Sequence, residues 1–413
     1  MSDPRFDRRA TRVLERLERL FAIGPAPHAT RPGLSAAEDE AHRLLAGWMR
    51  EAGLAITVDP VGNLVGTRAG RRPELPEVWL GSHLDTVPAG GRFDGALGVV
   101  AGLEAIAALD AAPHRGVALI AFREEEGARF GRSCLGSRAL CGALGPGELD
   151  AADPEGTSVR EALVGSIGAA EPPSAGWLPS PLPDCFLELH IEQGPVLARA
   201  GATVGVVSAI AGVHEYAVTF EGRRGHAGTT PMEGRSDALV AAATLVGRLQ
   251  AEVAGWDGRG VATVGRLEVR PGAPNVIPEQ VRLSVDCRAE DPADLAELDR
   301  LLAGLIAAAA SVQGARGEAE LTWDSPPVAM DERLRGVLDE AVAGAGLPLH
   351  QLPSGAGHDA AVLAGAGVPV AMLFARSLRD GISHTPEEET DRAAVADSVE
   401  VLTAALARLA GVA

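Results

Sequence analysis

The sequence has little of several features that would each indicate a class of protein. Aromatic residues make up 3% of the 413 residues, and the four cysteines show neither a paired framework nor a C-x-x-C spacing. No apolar run is long enough to cross a bilayer, and the charged N-terminus lacks the apolar stretch of a signal peptide. We therefore expect a cytoplasmic protein with reduced thiols and no membrane partner.

Basic residues are also few compared with acidic ones, 37 against 56, which gives the chain a formal net charge of -19. No basic stripe interrupts this excess, which argues against nucleic acid or an anionic membrane as a partner. A local arginine could still bind a small anionic substrate. With 46% hydrophobic residues the chain is globular, and its length predicts two domains.

The first candidate functional residues lie in a glycine-rich stretch that follows a strand-like segment, 76–80. His83 and Asp85 follow this strand on one side, and a loop then carries Asp94 to a helix-like run, 96–109. Ligands at the carboxyl end of a strand favour a metal site or active site in α/β proteins. The alternative is an ordinary turn with a solvated histidine, so this stretch needs ligands from elsewhere.

Two further strand-like segments end in polar groups. The apolar run 116–122 leads into Arg123 and then Glu124–Glu126, where adjacent carboxylates repel one another unless cations or protons compensate. The segment 185–192 places His190 and Glu192 on one side of a strand. A solvated acidic turn and a structural histidine are the alternatives to ligands here.

The pattern changes at residue 212. Segments between 212 and 327 follow the order β-α-β-β-α-β, the split pattern of a ferredoxin-like sheet. We predict a second domain, 212–327, inserted into a first domain made of 1–211 and 328–413.

Candidate ligands share one placement, at the end of a strand or in the loop beyond it. They are His83, Asp94, Glu125, Glu126, His190 and His384. A parallel sheet would bring such ends to one edge, and imidazoles with carboxylates suit zinc or a similar divalent ion. Their number fits two ions, with one carboxylate left free to take a proton from water, which indicates a hydrolase.

Eight segments, spread over nearly the whole chain, resemble one known family of proteins. The segments that carry it are Gly-Ser-His83-Leu-Asp85, Phe-Asp94-Gly-Ala-Leu-Gly-Val, Glu125-Glu126-Gly-Ala-Arg-Phe, Glu-Leu-His190-Ile-Glu-Gln193-Gly-Pro, Gly-His226-Ala-Gly-Thr-Thr-Pro-Met, Pro-Asn275-Val-Ile-Pro, Gly-Ala-Gly-His358-Asp359-Ala and Ile-Ser-His384-Thr-Pro. They resemble the M20 metallopeptidase superfamily, and within it the carbamoylase branch of N-carbamoyl-L-amino acid hydrolases, β-ureidopropionases and allantoate amidohydrolases. The resemblance implies an α/β di-metal hydrolase domain with an inserted ferredoxin-like α+β domain that serves as lid and dimer contact.

The resemblance also implies a ligand set for two divalent metal ions per subunit. Asp94 would bridge the ions, His83 and His190 would complete one side, and Glu126 and His384 the other. Such ligands accept zinc, manganese, cobalt or nickel, so the sequence does not choose among these metals.

Glu125 would be the general base, and Asp85 would hold His83 in its ligating tautomer. Because three glutamates are adjacent, a shift by one residue is an alternative. We anchor the pair to Gly127, which follows it in the Glu-Glu-Gly-Ala-Arg-Phe pattern.

A second implied set concerns the substrate. His226 resembles the lid histidine that stabilises the oxyanion of the tetrahedral intermediate. The residues implied to bind the substrate, with Arg288 on its carboxylate, are Gln193, Asn275, Arg288, Gly357 and Ser383. His214 departs from the Gln- or Arg-containing stretch of many relatives, and we interpret His358 as structural.

The expected protein is a homodimeric amidohydrolase that splits the N-carbamoyl group of a small carboxylate, most simply an N-carbamoyl-L-amino acid, into the amino acid, carbon dioxide and ammonia. Allantoate amidohydrolase and β-ureidopropionase are alternatives, and so is an aminoacylase or dipeptidase of the same fold. A non-enzymatic scaffold would have a damaged ligand set, yet each expected ligand is present in the sequence.

Overall fold

The computed structural model describes residues 4–25, 29–109, 111–168 and 172–412. The chain divides into two compact units. The first unit comprises Met1–Ser208, Met330–Leu352 and Gly357–Ala413, and the second comprises Ala209–Ala329 and Pro353–Ala356. The sequence placed these boundaries at 211/212 and 327/328, and it did not anticipate the short segment Pro353–Ala356.

Two helices and two strands open the first unit, strands and helices mostly alternate from β3 onward, and the second unit has a split pattern. The strands are β1 (Ala55–Val58), β2 (Leu64–Arg68), β3 (Val78–His83), β4 (Val117–Phe122), β5 (Cys185–Ile191), β6 (Val204–Ile210), β7 (Gly212–Glu221), β8 (Gly225–His226), β9 (Val261–Arg270), β10 (Val276–Ile277), β11 (Gln280–Ala289), β12 (Arg316–Ser325), β13 (Val328–Ala329), β14 (Gln351–Ser354) and β15 (Val370–Ala375). The helices are α1 (Pro4–Phe21), α2 (Ala36–Glu51), α3 (Ala96–Ala107), α4 (Leu135–Leu140), α5 (Val159–Ile167), α6 (Val196–Ala200), α7 (Ala238–Ala254), α8 (Pro292–Gln313), α9 (Glu332–Gly344), α10 (Asp359–Gly365) and α11 (Arg392–Ala410).

The sheet of the first unit has the order β1-β2-β4-β3-β5-β15-β6. Its centre is parallel, since β3 pairs in parallel with β4 and β5, and β15 with β5. Every residue of these four strands is buried, as expected of parallel strands covered on both faces. Their carboxyl ends therefore meet at one edge, as the sequence predicts.

Strand register decides which polar residues become neighbours at that edge. His83 is the last residue of β3 and lies opposite Phe122, so the three glutamates begin two residues beyond this pair, after Arg123. On the next strand pair, His190 of β5 lies opposite Phe374 of β15. The sequence pattern predicted that β3 ends at residue 80, whereas the strand continues to His83.

Helix α3 lies unusually close to the sheet, which positions the loop before it. It is buried along nearly its whole length, and a side chain at Gly98 would overlap the carbonyl oxygen of Leu189 in β5. Because only a glycine permits this approach, the start of α3, with Asp94 just before it, lies over the end of β5. A hydrogen bond links the two, since Gly95 N donates to His190 Nε2 at 3.2 Å.

The second unit contains an antiparallel sheet in the order β12-β7-β11-β9, and α7 and α8 share a buried apolar core with it. This is the predicted β-α-β-β-α-β arrangement. A separate short pair joins β8 and β10, and β13 pairs with the last two residues of β6 where the chain enters and leaves the unit. None of the helices that the structure describes is long and apolar enough to span a membrane.

Candidate metal centre

Residues from four strand ends converge at the parallel edge of the first unit. Two groups of potential ligand atoms form there, one of His83, Asp94 and His190 and one of Asp94, Glu126 and His384. Within each group the ligand atoms all lie within 4.8 Å of one another. Asp94 belongs to both groups, so the two groups meet at one carboxylate.

The first group is buried and its imidazoles are oriented by backbone carbonyls. Nδ1 of His190 lies 3.0 Å from Ile191 O, and Nδ1 of His83 lies 3.2 Å from Asp85 O. Each Nδ1 can donate to its carbonyl, which leaves Nε2 of the neutral ring as an acceptor. Nε2 of His190 lies 3.1 Å and Nε2 of His83 3.5 Å from Asp94 Oδ1. Acceptors that face a carboxylate in this way need a proton or a cation between them.

The second group uses the other oxygen of Asp94. His384 Nε2 lies 3.3 Å from Asp94 Oδ2 and 3.3 Å from Glu126 Oε2. The Glu126 side chain is 6% exposed, whereas the His384 side chain is 52% exposed. His384 has a φ of +57°, which is uncommon for a residue with a side chain, so a local turn sets the direction of its ring.

The loop after β4 separates the three adjacent glutamates. Asp85 accepts the backbone N–H of Glu125 and of Glu126, both at 3.0 Å. Glu125 lies beside the first group, with Oε2 3.6 Å from His83 Nε2, but belongs to neither group. Glu124 turns to the backbone N–H groups of Arg129 and Phe130, each at 3.2 Å. Of the three glutamates, Glu126 is the one that belongs to a group of potential ligands among the described residues, and it is the residue that the anchor at Gly127 implies.

Electrostatics at this edge show a surplus of buried negative charge. Burial raises the pKa of Glu126 to about 7, and the nearby Asp94 carboxylate adds to the rise. Burial also raises the pKa of Glu125 well above its usual range. The hydrogen bond to Asp94 raises the pKa of His384 to about 9. Imidazole nitrogens and carboxylate oxygens in such a setting fit divalent cations, which would neutralise the surplus.

Gln193 and Ser383, implied by the resemblance to bind substrate, lie against Asp94. Gln193 Nε2 donates to Asp94 Oδ2 at 2.9 Å and to Ser383 Oγ at 3.1 Å. Ser383 Oγ lies 3.1 Å from the same Asp94 oxygen. Both residues therefore orient a candidate ligand. Gly357 is exposed with open space beside it.

Two residues near the site are absent from the implied ligand set. His358 is buried, and its ring packs edge-on against the His190 ring with centroids 4.7 Å apart. Glu388 accepts hydrogen bonds from the backbone of Phe93 and Asp94, and sequence reasoning missed it. In the sequence, Glu388 is the second of three glutamates that follow His384-Thr-Pro, and no local pattern distinguishes it from an exposed acidic residue.

The second unit contains His226 at the end of β8 and Asn275 just before β10, the strand that pairs with β8. His226 is exposed, and its Nδ1 accepts the backbone N–H of Gly228 at 3.0 Å and of Thr229 at 3.2 Å. A neutral ring with these bonds carries its proton on Nε2, which makes Nε2 a donor. Asn275 is exposed, and its carbonyl accepts the N–H of Ala227 at 3.0 Å.

Arg288 of β11 is held by partners within the second unit. Its Nε and Nη2 donate to the two oxygens of Asp286 at 2.8 and 2.9 Å, and Nη1 donates to Gly355 O at 2.8 Å. This bidentate pairing fixes the plane of the guanidinium. Since the group has five N–H donors, donors remain for a further acceptor.

A parallel α/β sheet with two ligand groups sharing a carboxylate is an arrangement typical of a metal-dependent hydrolase. The chain belongs to peptidase family M20/M25/M40, because the sequence model of this family matches residues 79–408. It is 38% identical to the N-carbamoyl-L-amino acid amidohydrolase of Geobacillus stearothermophilus over 95% of this chain and 96% of that protein. It is 35% identical to the allantoate amidohydrolase of Escherichia coli strain K12, over 94% and 95%. A crystal structure of a hydantoinase/carbamoylase family amidase from Burkholderia multivorans has a TM-score of 0.86 at 35% identity, covering 96% of this chain and 97% of that one.

Proposed function

We propose that the protein is a two-metal amidohydrolase that removes the N-carbamoyl group of an N-carbamoyl-L-amino acid. The observation that carries the proposal is the meeting of the two ligand groups at Asp94. Similarity along nearly the whole chain to an N-carbamoyl-L-amino acid amidohydrolase supports the substrate class. The products would be the amino acid, carbon dioxide and ammonia.

His83, His190 and Asp94 would hold one ion, and Asp94, Glu126 and His384 the other. Divalent ions bound there would polarise the ureido carbonyl and lower the pKa of an attacking water. The donor set accepts zinc, manganese, cobalt or nickel. Asp85 keeps the acidic loop in place through the N–H groups of Glu125 and Glu126.

Glu125 would act as the general base and then the general acid. It accepts a proton from the attacking water and returns it to the departing nitrogen. Its position supports this role, because its carboxylate lies beside His83 and yet belongs to neither ligand group. The Cys134 thiol, 3.5 Å from Glu125 Oε1, leaves the other oxygen for the reacting proton.

The second unit would supply the donors that recognise the substrate. His226 presents an Nε2–H donor, which suits the oxyanion of a tetrahedral intermediate. Arg288, with Asn275, would bind the substrate carboxylate, since a guanidinium whose plane is already fixed pairs with an anion at little entropic cost. Kinetics of variants at these positions tests these roles.

A substrate panel tests the activity. Purified protein loaded with zinc, manganese or cobalt is assayed for ammonia release from N-carbamoyl-L-amino acids, N-carbamoyl-β-alanine and allantoate. N-acetyl-L-amino acids and dipeptides, followed by release of free amino acid, test the aminoacylase and dipeptidase alternatives. We expect the highest kcat/KM for an N-carbamoyl-L-amino acid. Turnover of allantoate alone would select the second candidate, which the Escherichia coli relative supports, and no ammonia from any ureido compound would refute the proposal.

We also propose that the enzyme is a cytoplasmic homodimer formed through the second unit. Light scattering coupled to gel filtration would then give about twice the mass of the 42.4 kDa chain. A mass of one chain at micromolar concentration would contradict the dimer.

A further inference from the structure

Glu388 links two segments of the first unit that are far apart in sequence. One of its oxygens, Oε1, accepts the backbone N–H of Phe93 at 2.6 Å and of Asp94 at 3.0 Å. The other, Oε2, accepts a hydrogen bond from the Ser383 hydroxyl at 2.9 Å. The residue is 2% exposed, so water does not compete for these bonds.

The surroundings of Glu388 are shaped to admit its carboxylate. A side chain at Gly91 would overlap the carboxyl group of Glu388, so this glycine leaves the space that the acid fills. Burial raises the pKa of Glu388, and the Asp94 charge adds to the rise, yet both oxygens have donors and neither belongs to a ligand group. The Glu388 carboxylate thus accepts hydrogen bonds from two backbone N–H groups and the Ser383 hydroxyl, and it is not one of the potential metal ligands.

The Ser383 hydroxyl has one proton and two carboxylates within reach. Its oxygen lies 3.1 Å from Asp94 Oδ2 and 2.9 Å from Glu388 Oε2. Gln193 Nε2 already donates to that Asp94 oxygen at 2.9 Å. The Ser383 proton is therefore available to Glu388, and the chain Gln193–Ser383–Glu388 can be satisfied in full.

We propose that Glu388 is a positioning residue that fastens the Asp94 loop to the turn carrying Ser383 and His384. The inference rests on the proposed two-metal site and deepens it. His83 and His190 belong to β3 and β5, which hold them without help from Glu388. His384 lies on a turn with positive φ and a half-exposed side chain, so its distance from Asp94 depends on the Glu388 bonds.

The experiment measures metal affinity in the full chain without substrate. Cobalt is titrated into metal-free wild type, Glu388→Ala and Glu388→Gln, with a chelating indicator that reports both binding steps. Glu387→Gln is the matched control, because Glu387 is the exposed neighbour on the same turn and glutamine keeps an acceptor for Thr385. We expect Glu388→Ala to weaken one step by about 10- to 100-fold and the other by less than about threefold.

Glu388→Gln should fall between wild type and Glu388→Ala. Its amide oxygen can still accept the two backbone N–H groups, but its nitrogen offers Ser383 a donor where the acid offered an acceptor. If Glu388→Ala does not fold, as circular dichroism would show, Glu388→Gln and Ser383→Ala carry the comparison. Two unchanged steps in every folded variant would overturn the positioning role while leaving the proposed function intact. A wild type that binds no cobalt would instead overturn the metal site itself.

Discussion

At the residue scale, Asp94 is the group on which the candidate site depends. One oxygen faces His83 and His190 and the other faces His384. Burial disfavours its charge, but the neighbouring imidazoles of His190, His384 and His83 hold its pKa well below the usual range. The carboxylate is therefore ionised and can serve both ligand groups at once.

Replacing Glu125 should separate chemistry from metal binding. In Glu125→Gln the amide keeps the shape of the side chain but cannot take a proton from water. We expect kcat to fall by about 10²- to 10⁴-fold, while metal analysis still finds the wild-type content. Loss of metal together with activity would show that Glu125 is a ligand.

Arg288→Ala tests the substrate carboxylate. Removing a charge-assisted hydrogen bond of about 1.5–3 kcal/mol should raise KM for an N-carbamoyl-L-amino acid by about 10- to 100-fold, with a smaller change in kcat. Arg282→Ala is the control, because Arg282 is an exposed arginine on the same strand, β11. Equal kinetics for the two variants would place the anion elsewhere.

The types and order of the candidate ligands could be predicted from the sequence, whereas their supports could not. His83, Asp94 and His190 stand out because imidazoles and carboxylates follow apolar strands. Gln193 and Glu388 each make a hydrogen bond to Asp94, which lies about one hundred positions from the first and about three hundred from the second. Such contacts leave no periodicity or local pattern, so the sequence offered only a substrate role for the first and none for the second.

At the element scale, the site follows from four buried strands that run in parallel. The continuous apolar run 116–122 predicted β4, because strands covered on both faces lack polar alternation, and the strand-like segments 76–80 and 185–192 predicted β3 and β5. Strand β6 is not among the predicted strands, and its sequence is interrupted by Gly205, Ser208 and Ala209, which favour strands less than β-branched residues do. The strand β3 is also longer than predicted, because the polar residues Ser82 and His83 belong to its buried end. Ser82 satisfies its hydroxyl there by donating to Glu188 at 2.9 Å.

The close approach of α3 to β5 gives a stability prediction. Gly98→Ala should lower the free energy of unfolding by about 1–3 kcal/mol, because the new methyl group would overlap Leu189 O. Gly47→Ala in α2 is the control, since that site has open space and alanine favours a helix by about 0.5–1 kcal/mol. Urea unfolding monitored by circular dichroism measures both. A Gly98 variant as stable as the wild type would refute the close packing.

At the scale of the whole molecule, charge composition and site chemistry agree. All 37 basic residues are arginines, because the sequence contains no lysine. An anionic substrate group therefore has no ammonium to pair with, and a guanidinium is the cation available to it. The net charge of -19 likewise favours uptake of cations, and the buried carboxylates at the sheet edge concentrate that preference at one place.

Removing divalent ions should therefore destabilise the fold as well as stop turnover. A ligand that binds the native state alone stabilises it by about 2.7 kcal/mol at one hundred times its Kd, so treatment with a chelator should lower the midpoint of thermal unfolding, and added cobalt or zinc should restore it. Asp94→Ala is the matched variant, because it removes the carboxylate that both ligand groups share. Its unfolding midpoint should not respond to added metal. If wild type and Asp94→Ala respond alike, the ions bind outside the candidate centre.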